Sequence, residues 1–296
     1  MDIGTIIASG KLPENKKFIE DFLLESSGEF IAREGDQWDF KEQWPHSYSD
    51  SYFGGLVKLV CAFSNTKGGL IIFGVNDHTR RTRAGRVRPN VDAFETAVRQ
   101  STGRHIQIDH KCYEIGLDNF VDVILIPERE KRKPPITLIK EVAQYPTNVV
   151  WVRKGSSSLP AESEDVETVF LPSGTHGGDL SLAGGLPSSP STLKTFVGRF
   201  NAIARIFCWI YDEDEPRAFL WGKGGSGKST IAYEICQHIK YNGKLIEFLD
   251  GQSLDCVIYI SAKKTFLNIE SLGINEYTGN DFTDEKTLYQ AILALG

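Results

Sequence analysis

Apolar residues follow two different spacings along the first half of the chain, and these spacings predict its secondary structure. Apolar residues at helical intervals predict helices at about residues 14–24, 52–65 and 91–102. Short apolar runs predict strands at about residues 70–75, 105–115, 120–126 and 148–153, and an extended segment holds Phe40. This mixed order of helices and strands indicates an α+β fold.

The second half of the chain has a different pattern. Phe219-Leu220-Trp221 predicts a short strand, a glycine-rich loop follows, and residues 230–240 have helical spacing. The apolar run at residues 256–261 predicts the next strand. A strand, a loop, a helix and a second strand in this order are typical of an α/β fold with a parallel sheet.

The glycine-rich loop matches the phosphate-loop pattern G-x-x-x-x-G-K-[ST] of ATP-binding proteins. Its glycines leave backbone N–H groups free to surround phosphate oxygens, the lysine pairs with the β- and γ-phosphates, and the serine binds Mg²⁺. The residues expected to bind ATP are Gly222, Gly224, Gly225, Gly227, Lys228, Ser229 and Thr230, with Ser229 as the metal ligand. The alternative is a glycine-rich turn without a ligand.

A Walker B strand requires a carboxylate directly after its apolar run. The strand predicted at residues 256–261 has Asp255 before it and no carboxylate directly after it. We therefore expect only the first part of an α/β nucleotide-binding module in this chain. Residues 171–192 are rich in Gly, Ser and Pro and predict a flexible linker. The predicted domains are thus residues 1–170 and 193–296.

Composition limits the class of protein that this sequence can encode. The chain has 296 residues, a net charge of −6 and 41% hydrophobic residues, which is ordinary for a globular protein of about two domains. Five cysteines without C-x-x-C spacing argue against a disulfide framework and a zinc site. No apolar run predicts a signal peptide or a membrane span, so we expect a cytoplasmic protein without a membrane partner.

Three carboxylates and a lysine are candidates for chemistry in the first domain. Glu34 and Asp39 lie in an extended region, and Lys41 follows Asp39 by two positions, so these two share a face of a strand. Asp77 closes the strand after the Gly68-Gly69 turn. Carboxylates that hold Mg²⁺ or Mn²⁺ beside a lysine are what a metal-dependent nuclease requires. The alternative is that all are solvated surface groups.

Three sequence blocks resemble the Schlafen domain, also described as a divergent AlbA-like domain. They are the Glu34-x4-Asp39-Phe-Lys41 block, the segment from Leu59 to Asp77 with its Gly-Gly turn, and Val152-Arg153-Lys-Gly-Ser156. In Schlafen ribonucleases a trio of acids forms the active site, and the resemblance gives that role, with metal binding, to Glu34, Asp39 and Asp77. Asp39 stands where the family more often has Glu. The resemblance favours RNA, including tRNA, over DNA as substrate.

Basic residues lie next to this acid trio. Five arginines follow Asp77 between positions 80 and 88, and Arg153 belongs to the third Schlafen-like block. We expect contacts with nucleic-acid phosphates from Arg80, Arg81, Arg83 and Arg153. The alternatives are a solvated loop for the first group and a structural role in a turn for Arg153.

The segment Phe196-Val197-Gly198-Arg199 resembles the one that precedes the phosphate loop in STAND-type NTPases, and it implies that Arg199 contacts nucleotide. That family consists of oligomerising switches with effector and sensor regions. Together the resemblances predict an effector of prokaryotic antiviral defence. Its nuclease would be controlled by oligomerisation of a STAND-like ATPase, after a phage-derived trigger acts on a C-terminal sensor missing here. The alternatives are a non-catalytic nucleic-acid-binding or regulatory module with an ATPase, and an oligomerisation scaffold.

Overall fold

The structure is a computed structural model that divides into two compact units, Met1–Ser173 and Gly174–Gly296. In the first unit it describes residues 2–26, 29–31, 34–76, 78–82, 89–116 and 119–171. In the second unit it describes residues 180–183, 186, 198–212, 214, 217–246, 248, 252–260, 265–268, 273–276 and 284–295.

The first unit is an α+β domain, as its pattern predicts. Its helices are α1 (Ile3–Ser9), α2 (Lys17–Phe22), α3 (Ser51–Asn65), α4 (Val91–Thr102) and α5 (Val166–Phe170), the last preceded by a 3-10 turn at Ser163–Asp165. Its strands are β1 (Trp38–Lys41), β2 (Gly69–Phe73), β3 (Asp109–Gly116), β4 (Asn119–Ile126), β5 (Trp151–Lys154) and β6 (Ser157–Pro160).

Four of these strands form one sheet in the order β1-β2-β4-β3. β1 and β2 are parallel because α3 carries the chain back between them, whereas β4 is antiparallel to both β2 and β3. β5 and β6 form a separate hairpin, and β5 packs against α3. The short strand β1 is thus at one edge of the sheet, near the helix that connects it to β2.

The sheet has a hydrophobic core on each face, because successive strand residues point to opposite sides. Ile71 and Phe73 of β2 pack with α3, α4 and Trp151 on one face. Leu70 and Ile72 pack with α1, α2 and Phe40 on the other. Since β2 is buried on both faces, it reads as a continuous apolar run in the sequence.

Local signals explain where α3 and α4 begin and end. The Asp50 carboxylate accepts the Phe53 N–H at 2.7 Å and caps the start of α3, and Asn90 caps α4 in the same way. Gly103 ends α4 in the left-handed conformation, with φ at 67°. The helices predicted at residues 52–65 and 91–102 are confirmed.

Gly68 is required by the tight turn between α3 and β2. Its φ is +69°, and a Cβ atom there would lie 2.4 Å from Ile7 Cγ2 and 2.8 Å from the Ile126 carbonyl oxygen. Only glycine adopts this conformation at such close approach without strain. The turn brings the C-terminal end of α3 directly to the start of β2.

The remaining elements differ from prediction mainly at their ends. The helix predicted at residues 14–24 is confined to Lys17–Phe22, and α1 is an additional helix, capped by Asp2 and ended by Gly10, whose seven residues are too few to show periodicity. Strands predicted at residues 105–115 and 148–153 begin later, at Asp109 and Trp151.

The second unit contains α6 (Phe200–Ile210), α7 (Lys228–Asn242), a 3-10 turn at Gly243–Leu245, β7 (Thr265–Asn268), β8 (Gly273–Glu276) and α8 (Glu285–Leu295). The predicted helix after the phosphate loop is confirmed as α7. The predicted parallel sheet is not found in the described residues of this unit, whose two strands form an antiparallel hairpin.

The strands predicted at residues 219–221 and 256–261 are not found as strands in the described residues of the second unit. Residues 219–221 are irregular, with Phe219 87% and Trp221 89% exposed, and within 256–260 only Cys256 makes a bridge, to Ala183. A parallel strand needs neighbours for its backbone hydrogen bonds, and the described residues provide none for Phe219-Leu220-Trp221.

The predicted linker, residues 171–192, lies mostly outside the described residues. The part at residues 180–183 is packed rather than flexible. Leu182 is buried, and its N–H donates to the Lys240 carbonyl at 2.7 Å. The apolar side chains of this part, unlike the glycines and serines around them, stabilise the packed arrangement when their surface is buried. Across the described ranges, no helix has the length and apolar character needed to cross a bilayer.

Candidate active site

Strand β1 presents Asp39 and Lys41 on one face of the sheet. Their partners on β2, Ile71 and Phe73, belong to the core beneath α3 and α4, whereas Phe40 points to the opposite core. The Lys41 ammonium contacts Asp39 Oδ1 directly and also donates to the Phe40 carbonyl at 2.9 Å. The predicted placement of Asp39 and Lys41 on the same face is confirmed.

Glu34 joins this pair from the segment before β1. Its Oε1 accepts the Phe40 N–H at 2.9 Å and lies 3.9 Å from Lys41 Nζ. The Glu34 side chain is 20% exposed and that of Asp39 is 5% exposed. Two of the three predicted acids therefore share Lys41 as a common partner, with Glu34 the more accessible of the two.

Arg153 on β5 bridges the same two acids from the other side. Its Nη1 is 2.9 Å from Asp39 Oδ2, and its Nη2 is 3.8 Å from Glu34 Oε2. Nε and Nη2 also donate, each at 3.2 Å, to the carbonyl oxygens of Gly35 and Trp38. The planar guanidinium suits this role because its donors lie in a fixed fork.

The position of Arg153 corrects its predicted role. Its side chain is only 2% exposed, and its guanidinium stacks on the Phe63 ring at 5.1 Å. A buried arginine engaged by two acids and two carbonyls is not placed to grip a phosphate backbone. It instead holds the acid pair from strand β5, a structural role that differs from the role in a turn considered as the alternative.

The end of α3 fixes β5, and with it Arg153. The Thr66 hydroxyl accepts the Arg153 backbone N–H at 2.9 Å. The buried Asn65 amide donates to the carbonyls of Trp151, at 3.1 Å, and Ile136, at 2.8 Å. Asn65 and Thr66 thus fix Arg153, the residue that holds the acids, relative to α3.

Lys58 is a residue of this site that sequence reasoning missed. It lies on α3, with its Nζ 5.1 Å from the ring centroid of Tyr145 and 5.4 Å from that of Trp151. Partial burial lowers its pKa, the nearby Arg153 charge lowers it further, and Asp39 acts in the opposite direction. The signal was available, since Lys58 is the one charged residue in the fifteen-residue helix Ser51–Asn65.

These side chains surround an open cleft of about 610 Å³, which we call the acid cleft. One side is formed by α3, another by β1 and the segment before it, and a third by the β5–β6 hairpin with its exposed serines. The lining residues are Glu34, Asp39, Lys41, Ser51, Tyr52, Gly55, Leu56, Lys58, Leu59, Tyr145, Arg153, Ser156, Ser157, Ser158 and Leu159. The cleft is therefore both charged and accessible.

Two predicted site residues, Asp77 and Arg83, lie outside the described residues. The neighbouring part of the chain is described up to Asn76, whose amide donates to Glu42 Oε2 at 3.0 Å, and the Gly74 N–H donates to the Lys41 carbonyl at 2.8 Å. The chain after β2 thus runs beside the end of β1. The grouping of Asp77 with the other acids stays a prediction.

Arg80 and Arg81 are both occupied by carboxylates. Arg80 pairs with Glu25 at 3.1 Å and Glu29 at 3.3 Å, and Arg81 pairs with Glu29 at 2.9 Å. Two acids therefore balance these two arginines, which lowers their combined attraction for a phosphate backbone. Arg81 remains 73% exposed, so of the two it is the better placed to meet a ligand.

The acid pair offers oxygen donors of the kind that Mg²⁺ and Mn²⁺ prefer. Glu34 and Asp39 are close enough to share Lys41 and Arg153, but both Asp39 oxygens already face a cation. In the part of the chain that the structure describes, no group of three His, Cys, Asp or Glu residues could hold a metal. The pair fits a divalent cation in donor type and needs a further ligand, for which Asp77 is the candidate.

The glycine-rich loop that matches the phosphate-loop pattern ends where α7 begins. Gly225 and Gly227 have φ angles of 75° and 85°, and the Lys228 ammonium donates to the carbonyls of Gly222 and Lys223, both at 2.9 Å. Ser229 is exposed, and Arg199 precedes α6 with φ at 61°. The roles of Gly224, Thr230 and the other loop residues in binding ATP stay predictions.

Comparison with known proteins extends these observations. Residues 34–162 match the family model described as Schlafen, AlbA_2. No curated protein matches the chain. Among solved structures, the DIP2311 protein from Corynebacterium diphtheriae is 15% identical, with a TM-score of 0.37. The match covers 88% of this chain and 50% of that protein, so the chain spans about half its length, and a TM-score this low does not establish a shared fold.

The family match contains the acid pair, α3 and the β5–β6 hairpin within a single segment. These are the elements that build the acid cleft. A Schlafen-type domain indicates a function connected with nucleic acids. Residues 34–162 of this chain are therefore similar to the Schlafen AlbA_2 domain.

Proposed function

We propose that the first unit is a metal-dependent nuclease that hydrolyses phosphodiester bonds, with RNA, including tRNA, preferred over DNA. The observation that carries this proposal is the convergence of Glu34 and Asp39 on Lys41 and Arg153 in an open cleft. The cleft lies within the Schlafen-like segment, residues 34–162. The resemblance of the motif around Glu34 and Asp39 to that of Schlafen ribonucleases supports a role for both acids in an active site.

The residues have distinct roles in this proposal. Glu34, Asp39 and Asp77 would hold Mg²⁺ or Mn²⁺, which when bound polarises the phosphate and lowers the pKa of water. Lys41 stabilises the negative charge that develops on the phosphate oxygens, since its side chain is 25% exposed at the cleft. Arg153 positions both acids and is too buried to reach the substrate.

The second unit supplies control in the same proposal. ATP binding at Gly222–Thr230 would drive oligomerisation of a STAND-like module, and a phage-derived trigger would act through a C-terminal sensor. The loop sequence and the helix α7 that follows it support this role. The setting would be antiviral defence in the prokaryotic cytoplasm.

One observation favours a second candidate function, a non-catalytic nucleic-acid-binding module. Both acids are paired with cations, and Lys41, Lys58 and Arg153 outnumber Glu34 and Asp39 by one positive charge. A cleft with excess positive charge attracts a phosphate backbone without a metal. This module would bind nucleic acid and leave it intact.

The test is cleavage of labelled tRNA, single-stranded RNA and double-stranded DNA by the full chain with Mg²⁺, Mn²⁺ or a chelator. Asp39→Asn and Glu34→Gln keep side-chain size and remove one negative charge each. We expect metal-dependent RNA cleavage that each variant slows roughly a hundredfold or more, as when a group that stabilises a transition state is lost.

The matched control is Glu20→Gln on α2, where Glu20 pairs with Lys16 at 3.2 Å outside the acid cleft. It should cleave at the wild-type rate. Asp77→Asn extends the test to the third acid. Intact binding without cleavage, in the presence of metal, ATP and every substrate, would favour the binding module instead.

A further inference from the structure

Lys58 has a combination of position and partners that the acid chemistry does not use. Its helix, α3, is otherwise uncharged and packs mostly in the core, yet this one lysine opens into the acid cleft. In the described part of the chain its ammonium makes no ion pair, and its close contacts are the faces of two aromatic rings. A lysine that faces two aromatic rings at a charged cleft, and that forms no ion pair with a described acid, requires an explanation.

The two rings form a fixed support for the ammonium. Tyr145 and Trp151 stand edge to face, with centroids 6.2 Å apart and an interplanar angle of 88°. Trp151 is held because its carbonyl accepts from Asn65, and Tyr145 is held by a bridge to Val142. Ring faces attract a cation without cancelling its formal charge, so these contacts leave the charge of the Lys58 ammonium uncompensated.

The surrounding charges favour an anion at this point. Arg153 and Lys41 are close enough to lower the pKa of Lys58, and the three cations exceed the two acids. Arg153 is buried against both acids and Lys41 contacts Asp39, so their charges are locally balanced. The exposed hydroxyls of Ser156 and Ser157 add donors across the cleft.

We infer that Lys58 is the phosphate-binding residue of the acid cleft, where its ammonium, supported by Tyr145 and Trp151, contacts a backbone phosphate of a bound nucleic-acid strand. This inference rests on the proposed function in that a nucleic acid occupies the cleft. It is independent of whether the strand is cleaved. Lys58 then sets where the backbone lies relative to Glu34 and Asp39.

The test measures binding of fluorescein-labelled single-stranded RNA by the full chain in a chelator, as a function of KCl concentration. Each lost phosphate contact lowers the slope of log K against log salt by about 0.7 for a single strand. We expect Lys58→Ala to show this decrease and to bind about tenfold more weakly at low salt. Lys58→Arg, which keeps the charge, should retain the wild-type slope.

Lys16→Ala is the matched control, because Lys16 is exposed and paired with Glu20 outside the acid cleft. It should leave the slope unchanged. Lys58→Gln, which keeps the packing against the rings, replaces Lys58→Ala if thermal melting shows that the latter is unfolded. A wild-type slope and affinity in the folded variant would overturn the inference.

The same variants separate this inference from the proposed hydrolysis. Binding that depends on Lys58, in a protein that cleaves nothing when metal is added, would support the phosphate contact and remove the nuclease proposal. Cleavage that persists while the slope is unaffected by Lys58 would do the opposite. A wild-type chain that binds neither RNA nor DNA overturns both.

Discussion

Replacing Arg153 by Met should destabilise the first unit by about 3 kcal/mol. The change keeps most of the apolar stem over Phe63 and removes the guanidinium, leaving Asp39 with a side chain only 5% exposed. Removing one partner of a buried ion pair costs about 3–5 kcal/mol. We expect the lower end of that range because Lys41 remains in contact with the Asp39 carboxylate.

The assay is urea unfolding of the full chain, followed by tryptophan fluorescence. Trp38, Trp44 and Trp151 report on the first unit, so its transition can be separated from that of the second unit by substituting Trp209 and Trp221 with Phe. For a slope of about 2 kcal/mol per molar urea, the loss corresponds to a midpoint lower by about 1.5 M. A change of slope would indicate an altered native or denatured state instead.

A double-mutant cycle with Asp39→Asn decides whether charge is the cause. If the uncompensated carboxylate accounts for the loss, Arg153→Met should be cheaper by about 2 kcal/mol when Asp39 is already Asn. Additive effects of the two changes, or a loss below about 1 kcal/mol for Arg153→Met alone, would refute the conclusion that the Arg153 charge holds Asp39. Packing against Phe63 would then account for the contribution of the Arg153 side chain to stability.

Three further predictions concern the structure that supports the acid cleft. Burial raises the pKa of the Cys61 thiol to about 12, so the folded state keeps a proton that the unfolded chain releases once the pH exceeds the ordinary thiol pKa of 9.0. Wild type should therefore lose about 1.4 kcal/mol of unfolding free energy between roughly pH 7 and pH 10 relative to Cys61→Ala, and the same unfolding free energy at both pH values, relative to that variant, would contradict this. Gly68→Ala should lower the melting temperature more than Gly10→Ala, because both have positive φ but only Gly68 has close neighbours. Asn65→Ala should cost about 3 kcal/mol in urea unfolding, since three buried backbone hydrogen bonds lose their partner, and a cost below about 1 kcal/mol would show that water replaces the amide.

The sequence predicts best what depends on neighbouring residues. Alternation along β1 is enough to place Asp39 beside Lys41, and the apolar spacing of α3 is enough to place that helix. The role of Arg153 depends on contacts with Asp39 and Gly35, far away in the chain, which no local pattern encodes. The sequence motif around Arg153 is the same whether its side chain is buried or exposed.

Prediction from the sequence missed Lys58 for a different reason. A single charge inside an apolar helix is a visible irregularity, but only the packing of Tyr145 and Trp151 shows what that charge faces. The second unit shows a third reason for a missed prediction. Its phosphate-loop motif predicts α7 correctly, whereas the strand at residues 219–221 would need sheet neighbours that the described residues do not provide.

The bond from Arg153 to the Gly35 carbonyl joins residues 118 positions apart. A ribosome releases Glu34 and Asp39 long before it releases the residue that holds them, and closing so long a loop is entropically unfavourable until α3 and the sheet have brought its ends together. The contact that holds the acid pair therefore forms only once β5 has been synthesised and has packed against α3. Correct spacing of the two carboxylates thus depends on a residue that is synthesised more than a hundred positions after them.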